Sequence, residues 1–318
     1  MNKEQTLRKY FLEDEELEIE KVNFSNFLER KFFEAKKVYS AFEDSWFALM
    51  QGIRNNPRLY KSKIYFADHP YKKEALIVYN HLCKDIAEFS QLLNTLLLYV
   101  NKNEVVWKNA NPDDLDSLLS HGFRCYSEDE RWDICSKYDD QTYPQSICSL
   151  EEIAFLRGSR LSQIRQQTRA VERYFDKKIS IEPYNKEYKE QCELLTIHIS
   201  QEIGENNGIS PESIANANTI FLSHPPEHSF VIKSNDNVLA FIAFDVREST
   251  ANFICLIYKR NPKYLSTYSM VMAAQALYQD GIQNLNLSGS ELTTLDKWKN
   301  KFNPLKKINR MHVIWEKK

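Results

Sequence analysis

Apolar positions along the chain follow two different periods, and the change between them is sharpest in the second half. Residues 229–233 (SFVIK) and 237–246 (NVLAFIAFDV) are apolar runs on either side of SNDN, a turn signal, so the pair predicts a β-hairpin. TANFICLIY (250–258) predicts a third strand. The spacing then lengthens to that of a helix over about 264–279 (YLSTYSMVMAAQALYQ), with Gly281 as its stop. A strand at 282–287, a short helix at 295–302 and a last strand at 308–315 complete the order, and a helix near 186–203 precedes it. Within the 282–287 segment and just beyond it, Asn286 and Ser288 alternate with Leu285 and Leu287, which puts the two polar side chains on one sheet face.

The first half reads as mixed α/β. KEALIVYNHLCKDIAEF (73–89) has helical spacing at Ala75, Val78, Leu82 and Ile86. TLLLYV (95–100) is either a strand or a continuation of that helix. NPDDLDSLLSHGF (111–123) predicts a helix that Asn111 caps, with Pro112 in its first turn and Gly122 ending it. In SLEEIAFLRG (149–158), Ser149 and Glu152 form a capping box and Gly158 interrupts the helix. The next helix, 159–175, buries Leu161, Ile164, Thr168, Val171 and Phe175 on one stripe, with Arg165, Arg169 and Arg173 recurring every fourth residue beside it. This helix joins two expected domains, 1–175 and 176–318.

Composition narrows the function. The 318 residues are 42% hydrophobic, enough for a large core, and contain only 7 glycines, which excludes sites built on repeated glycine loops such as a dinucleotide fingerprint. A net charge of −2 offers no global field for nucleic acid or membrane. Charge is nevertheless local: residues 13–20 carry six acids, expected as a solvated face, and residues 157–178 carry seven bases against two acids. The 6 cysteines show no zinc-ligand spacing, and no apolar run is long enough for a signal peptide core or a bilayer span. A cytoplasmic, reducing location with no membrane insertion, no metal and no cofactor is the expectation.

Two stretches carry a resemblance. ICSLEEIAFLRGSRLSQIRQQTRAVERYF resembles the middle segment of the phosphatidylglycerol lysyltransferase C-terminal-type domains, relatives of the Fem-type aminoacyltransferases, in which a short helix ends in Leu-x-Gly before a basic helix. NLNLSGSELTTLDKWKNKFNP resembles that family's closing motif, with Asn286, Gly289, Glu291, Lys299, Phe302 and Pro304 at the matching positions. The likeness covers about 110–318. It implies two acetyltransferase-type (GNAT) domains in tandem, α/β with mixed, mostly antiparallel sheets flanked by helices. It further implies acyl transfer, often of an aminoacyl group from charged tRNA, to an amine or hydroxyl. The acceptor is then a small molecule or a peptide. The chain departs from GNATs that use acetyl-CoA. Where those have a glycine-bearing pyrophosphate loop, YKRNPKYLSTYSMV (258–271) has no glycine, and Pro262 lacks an N–H. Lys259, Arg260 and Lys263 remain there as phosphate-binding charges.

Acyl transfer needs a deprotonated nucleophile, donors for a tetrahedral oxyanion and a channel that positions both substrates. Glu291 is the candidate to grip or deprotonate an ammonium group, or else caps the following helix; Ser290 either donates to the oxyanion or caps. Asn286 and Ser288 are candidates to line a substrate cleft. Asp245 and Arg247 either line it too or pair with each other. For a polyanionic donor the candidates are Arg157, Arg160, Arg165, Arg169 and Arg173, with Lys297, Lys299 and Lys301 on a second helix whose apolar stripe is Leu295, Trp298 and Phe302. Lys299 is expected to project away from that stripe. Two other readings stay open: an acyl-CoA or acyl-carrier-protein dependent N-acyltransferase, and a GNAT-like shell that binds without catalysis.

Overall fold

The computed structural model describes residues 19–21, 58–60, 63–69, 72–110, 112–125, 143–207, 215, 219, 221–290, 293–309 and 311–317. Contacts divide it into two compact units, one of residues 1–39, 43–139 and 310–318, the other of residues 40–42 and 140–309. The expected boundary near 175 is not where contacts divide: the basic helix falls wholly in the second unit, because its buried stripe packs there.

The first unit holds a seven-stranded sheet. Its strands in chain order are β1 (Ile19–Lys21), β2 (Arg58–Tyr60), β3 (Ile64–Asp68), β4 (Ala75–His81), β5 (Glu104–Ala110), β6 (Arg124–Cys125) and a last strand, Met311–Glu316. Helices α1 (Ile86–Val100) and α2 (Leu115–Ser120) accompany them. One expectation fails here, and one open alternative is decided. Residues 75–81 are strand, since Ile77, Val78 and Tyr79 favour a pleated surface over a helix. TLLLYV, in turn, completes α1, which Asp85 caps through its carboxylate and the Glu88 N–H (2.8 Å). The core packs His81, Phe89 and Trp107 ring against ring, with Leu76, Val78, Leu93 and Leu97 around them.

The second unit holds β7 (Gln145–Ser149), α3 (Leu150–Phe155), α4 (Ser162–Tyr174), β8 (Ser180–Pro183), α5 (Lys189–Asn207), β9 (His228–Ser234), β10 (Asn237–Arg247), β11 (Thr250–Tyr258), α6 (Leu265–Gln279), β12 (Asn284–Asn286), α7 (Thr293–Asn300) and β13 (Lys306–Ile308). The hairpin, third strand and following helix lie as expected. The strand at 306–308 is an addition, and the final strand, β14 (Met311–Glu316), belongs to the first sheet. Ser149 caps α3 by accepting from the Glu152 N–H, and Leu156 in the left-handed region (φ 50°) ends that helix before Gly158. The Asn111 cap expected for α2, the acidic run up to residue 18 and Glu291 lie outside the described residues.

The two sheets have one topology. The first runs β1-β2-β3-β4-β5-β14-β6 and the second β8-β9-β10-β11-β12-β7-β13. In each, the fourth and fifth strands are parallel and every other neighbouring pair is antiparallel. The sixth place is filled by the strand that closes the other repeat: β7 ends the first and sits in the second sheet, β14 ends the second and sits in the first. This duplicated, mostly antiparallel α/β architecture is the tandem GNAT-like fold that the resemblance implies.

Candidate functional site

Residues in register on neighbouring strands share a face. In the second sheet Val246, Ala251, Leu285 and Cys148 are aligned, and all join the core packed by α6. The next row, Asp245, Asn252 and Asn286, therefore faces the other way. It is buried nonetheless: Asn252 and Asn286 are 0% exposed. A buried amide must have its valences filled, and this row fills them internally. Asn286 donates one N–H to Gln145 Oε1 and the other to Asn252 Oδ1, both at 3.1 Å. Asn252 donates to the Asp245 carbonyl (3.2 Å). Asn286 Oδ1 accepts from the Ser288 N–H (2.9 Å), which folds the chain into a turn as β12 ends.

That turn is held on every side. Ser288 is left-handed (φ 60°), a conformation that costs a non-glycine residue about 1 kcal/mol or more. Its hydroxyl donates to the Phe253 carbonyl (2.9 Å), one residue beyond the last β11 position paired with β12. Lys299 donates to the Gly289 carbonyl and, at 3.4 Å, to that of Ser288. Ser290 forms a two-bond bridge with Tyr143 (2.9 and 3.3 Å), and the Tyr143 hydroxyl lies 2.5 Å from Thr293 Oγ1. The Ser290 side chain is 0% exposed, and its hydroxyl has no hydrogen-bond partner among the described residues. Orphaned hydroxyls of this kind are costly, so the turn keeps an unfilled donor and acceptor at its end.

Several expected residues therefore occupy places the sequence did not suggest. Asn286 does not line an open cleft; it ties three strands together. Ser288 leaves the strand's alternation, because a left-handed residue breaks the period of two. Of the two alternatives for Asp245 and Arg247, pairing is the one found, at 3.0 Å, and Arg247 Nη2 is buried with no hydrogen-bond partner among the described residues. Lys299 does not project outward. It is 2% exposed, since the turn points carbonyl oxygens inward and a lysine stem can cross the apolar ground to reach them.

The arginines divide as well. Arg157 pairs with Glu151 (2.5 Å) and lies over the Phe155 ring. Arg160 donates to Asn303 (3.1 Å). Arg165 donates to the carbonyls of Leu156 and Gly158, holding the Leu-x-Gly turn. Arg169, Arg173 and Lys297 are exposed, Lys301 is half-buried, and none of the four side chains has a hydrogen bond or ion pair among the described residues. The sequence reading missed Gln145, Asn252 and Tyr143. Asn252, a polar residue inside the apolar run TANFICLIY, was the one available signal; the other two reach the site only through the exchanged strand.

At the start of α6, Tyr264 occupies the N-cap in the left-handed region (φ 76°) with no side-chain cap. Arg260 is drawn to Glu202 (3.5 Å) and to the Tyr258 hydroxyl (3.1 Å), and Lys263 lies over the Tyr264 ring. Among the described residues no three His, Cys, Asp or Glu side chains are grouped to hold a metal ion, and no helix is long and apolar enough to cross a membrane. Burial pushes the Cys148 and Cys192 thiols up to about 12, which leaves both protonated at neutral pH.

No family model and no curated protein matches the sequence. Solved structures do match the fold. A conserved protein of unknown function from Bacteroides thetaiotaomicron VPI-5482 superposes with a TM-score of 0.71 at 13% identity, over 94% of this chain and 100% of that one. L-PGS from Bacillus licheniformis gives 0.59 at 15% identity over 94% and 93% of the two chains. FemX gives 0.58 at 10% identity over 94% and 97%. At these identities the shared property is the tandem fold.

Proposed function

We propose that the chain is an acyltransferase of the tandem GNAT type that transfers an aminoacyl group from aminoacyl-tRNA to a soluble amine or hydroxyl acceptor. The observation that carries this reading is the braced turn at 288–290, where a buried polar row ends as the pairing of β11 with β12 stops and the Ser290 hydroxyl has no hydrogen-bond partner among the described residues. The likeness of the fold to FemX and L-PGS supports it, as does the resemblance of the 284–304 run to the closing motif of the Fem-related family.

In the reaction the acceptor nitrogen or oxygen attacks the ester carbonyl. A bond from carbon to that atom forms, the bond to the ribose oxygen breaks, and the acceptor's proton ends on that oxygen. Ser290 Oγ is the candidate donor to the intermediate oxyanion, and Glu291 the candidate that takes the proton. Lys299 positions the turn through its carbonyls rather than touching substrate. Arg173, Lys297 and Lys301, whose side chains have no partner among the described residues, are candidates to meet donor phosphates.

Acyl-CoA is the less favoured donor. The segment before α6 has no glycine, Pro262 lacks an N–H and Arg260 is engaged by Glu202. Incubating the protein with charged tRNAs and candidate amines tests the reading. The expected result is RNase-sensitive aminoacyl transfer, reduced at least about tenfold in Ser290→Ala and in Glu291→Gln. Transfer from acyl-CoA or acyl-carrier protein instead would replace the donor, and no transfer from any of them would leave a binding module.

A further inference from the structure

Away from the braced turn, the second unit has a groove of about 600 Å³ between the end of α3, the flank of α4 and the middle of α6. Its size is that of a small-molecule site. The floor is apolar: Tyr268 is 2% exposed, and Leu156, Met272 and Ile179 lie beside it. Its rim is cationic. Arg169 and Lys177 line the groove and are exposed, and their side chains have no ion-pair or hydrogen-bond partner among the described residues. Arg173, Lys178 and Asp176 follow on the same stretch of chain.

Two helix ends form part of these walls: Leu156 closes α3, and the Lys177 N–H bonds to the Glu172 carbonyl (2.8 Å) just past α4. Leu156 (φ 50°) and Lys177 (φ 62°) both line the groove in the left-handed region, which side-chain-bearing residues adopt at a cost of about 1 kcal/mol or more each. Arg165 then fixes the first of them through the carbonyls of Leu156 and Gly158.

We propose that this groove binds a nucleotide, with its phosphate on Arg169 and Lys177 and its base and ribose on the Tyr268 and Met272 floor. Guanidinium and ammonium groups without acids suit a phosphate. Glu172 and Gln275, which also line the groove, select the rest of the ligand. A carboxylate and an amide can accept from ribose hydroxyls or a base amino group. Against the methylenes of an alkyl phosphate the same two groups would be covered with nothing to bond. Burial, with the charge of Glu172 adding to it, pushes the Tyr268 phenol up to about 12, so it faces the ligand as a neutral hydroxyl. The assignment does not rest on the transfer reaction, since it is read by binding alone.

Titration calorimetry of the full chain tests it with AMP, adenosine and hexyl phosphate. The expected result is AMP binding with a Kd below about 1 mM, at least about tenfold tighter than adenosine and than hexyl phosphate. Arg169→Glu combined with Lys177→Glu should weaken AMP at least about tenfold, and Met272→Trp should abolish it by filling the floor. Thermal melts establish that each variant is folded, and Met272→Trp decides if the double variant is not. The proposal is overturned if AMP does not bind at about 5 mM, if the folded variants bind it within about twofold of the parent, or if hexyl phosphate binds as well as AMP.

Discussion

The parallel join of the fourth and fifth strands occurs once in each sheet, and the two copies are made of opposite materials. In the first sheet β4 meets β5 through Leu76 against Val105, Ile77 against Val106 and Val78 against Trp107. In the second, β11 meets β12 through Thr250 against Asn284, Ala251 against Leu285 and Asn252 against Asn286. One join is closed by packing. The other keeps an apolar row toward α6 and gives its opposite face to hydrogen-bonded amides that turn the chain at Ser288. Packing requires only volume and shape, whereas the amide row works only if each valence is met. The lesson is that one topology can be closed by packing in one unit and by a buried polar row in the other, and that the second solution needs polar groups buried with their geometry fixed.

That contrast can be broken in stages. Trp107→Ala should destabilise most, by about 3–5 kcal/mol, because the ring is nearly buried and packs on His81 and Phe89. Chemical denaturation followed by fluorescence of the remaining tryptophans measures it. Asn286→Ala should cost about 2–3 kcal/mol by stranding Gln145, Asn252 and the Ser288 N–H, and should also lower any transfer activity by loosening the turn. If Asn286→Ala instead melts within a degree of the parent, the amide row is not what holds the second join. Helix caps should matter less and about equally in the two units: Asp85→Ala and Ser149→Ala at about 1 kcal/mol each.

The smallest effect near neutrality is the response to alkali. Burial raises Tyr60 in the first unit, and Cys148, Tyr184, Cys192 and Tyr268 in the second, to about 12 from ordinary values of 10.0 for tyrosine and 9.0 for cysteine. Cys255 is raised in the same direction. Such groups keep their protons in the folded chain while the unfolded chain releases them. Their contribution is intact below about pH 9 and is lost as pH rises toward 12. Hydrogen exchange at pH 7.5 and 10 should show the second unit losing more protection, once rates are corrected for intrinsic exchange. Equal losses in the two units would contradict the burial of these thiols and phenols.

Much of the second unit was legible along the chain. The SNDN turn, the Ser149 N-cap, the stripe from Leu161 to Val171 and the stop at Gly281 each act within a few residues, so local chemistry settles them, whereas the Glu152 half of the expected capping box goes to Asn303 instead. The first unit was harder. ALIVYNH satisfies a helical period by accident, and its pairing with β3 and β5 makes it a strand. The motif at 284–304 correctly pointed to a turn with many small polar groups. It did not reveal that Lys299 points inward, because an apolar stripe on an eight-residue helix says nothing about carbonyls supplied by another segment.

The sequence alone determined the hairpin, the third strand and the helix after it in the second unit, the scarcity of glycine before α6 and the concentration of positive charge on α4. Only the tertiary structure decided the exchange of β7 and β14, the bonding of Asn286 to Gln145, and which arginines remain free. The physical reason is range. Caps, turns and periods are fixed by neighbours within a turn or two of the backbone. A buried amide, by contrast, takes whichever partner the folded sheet presents, and here that partner lies 141 residues away.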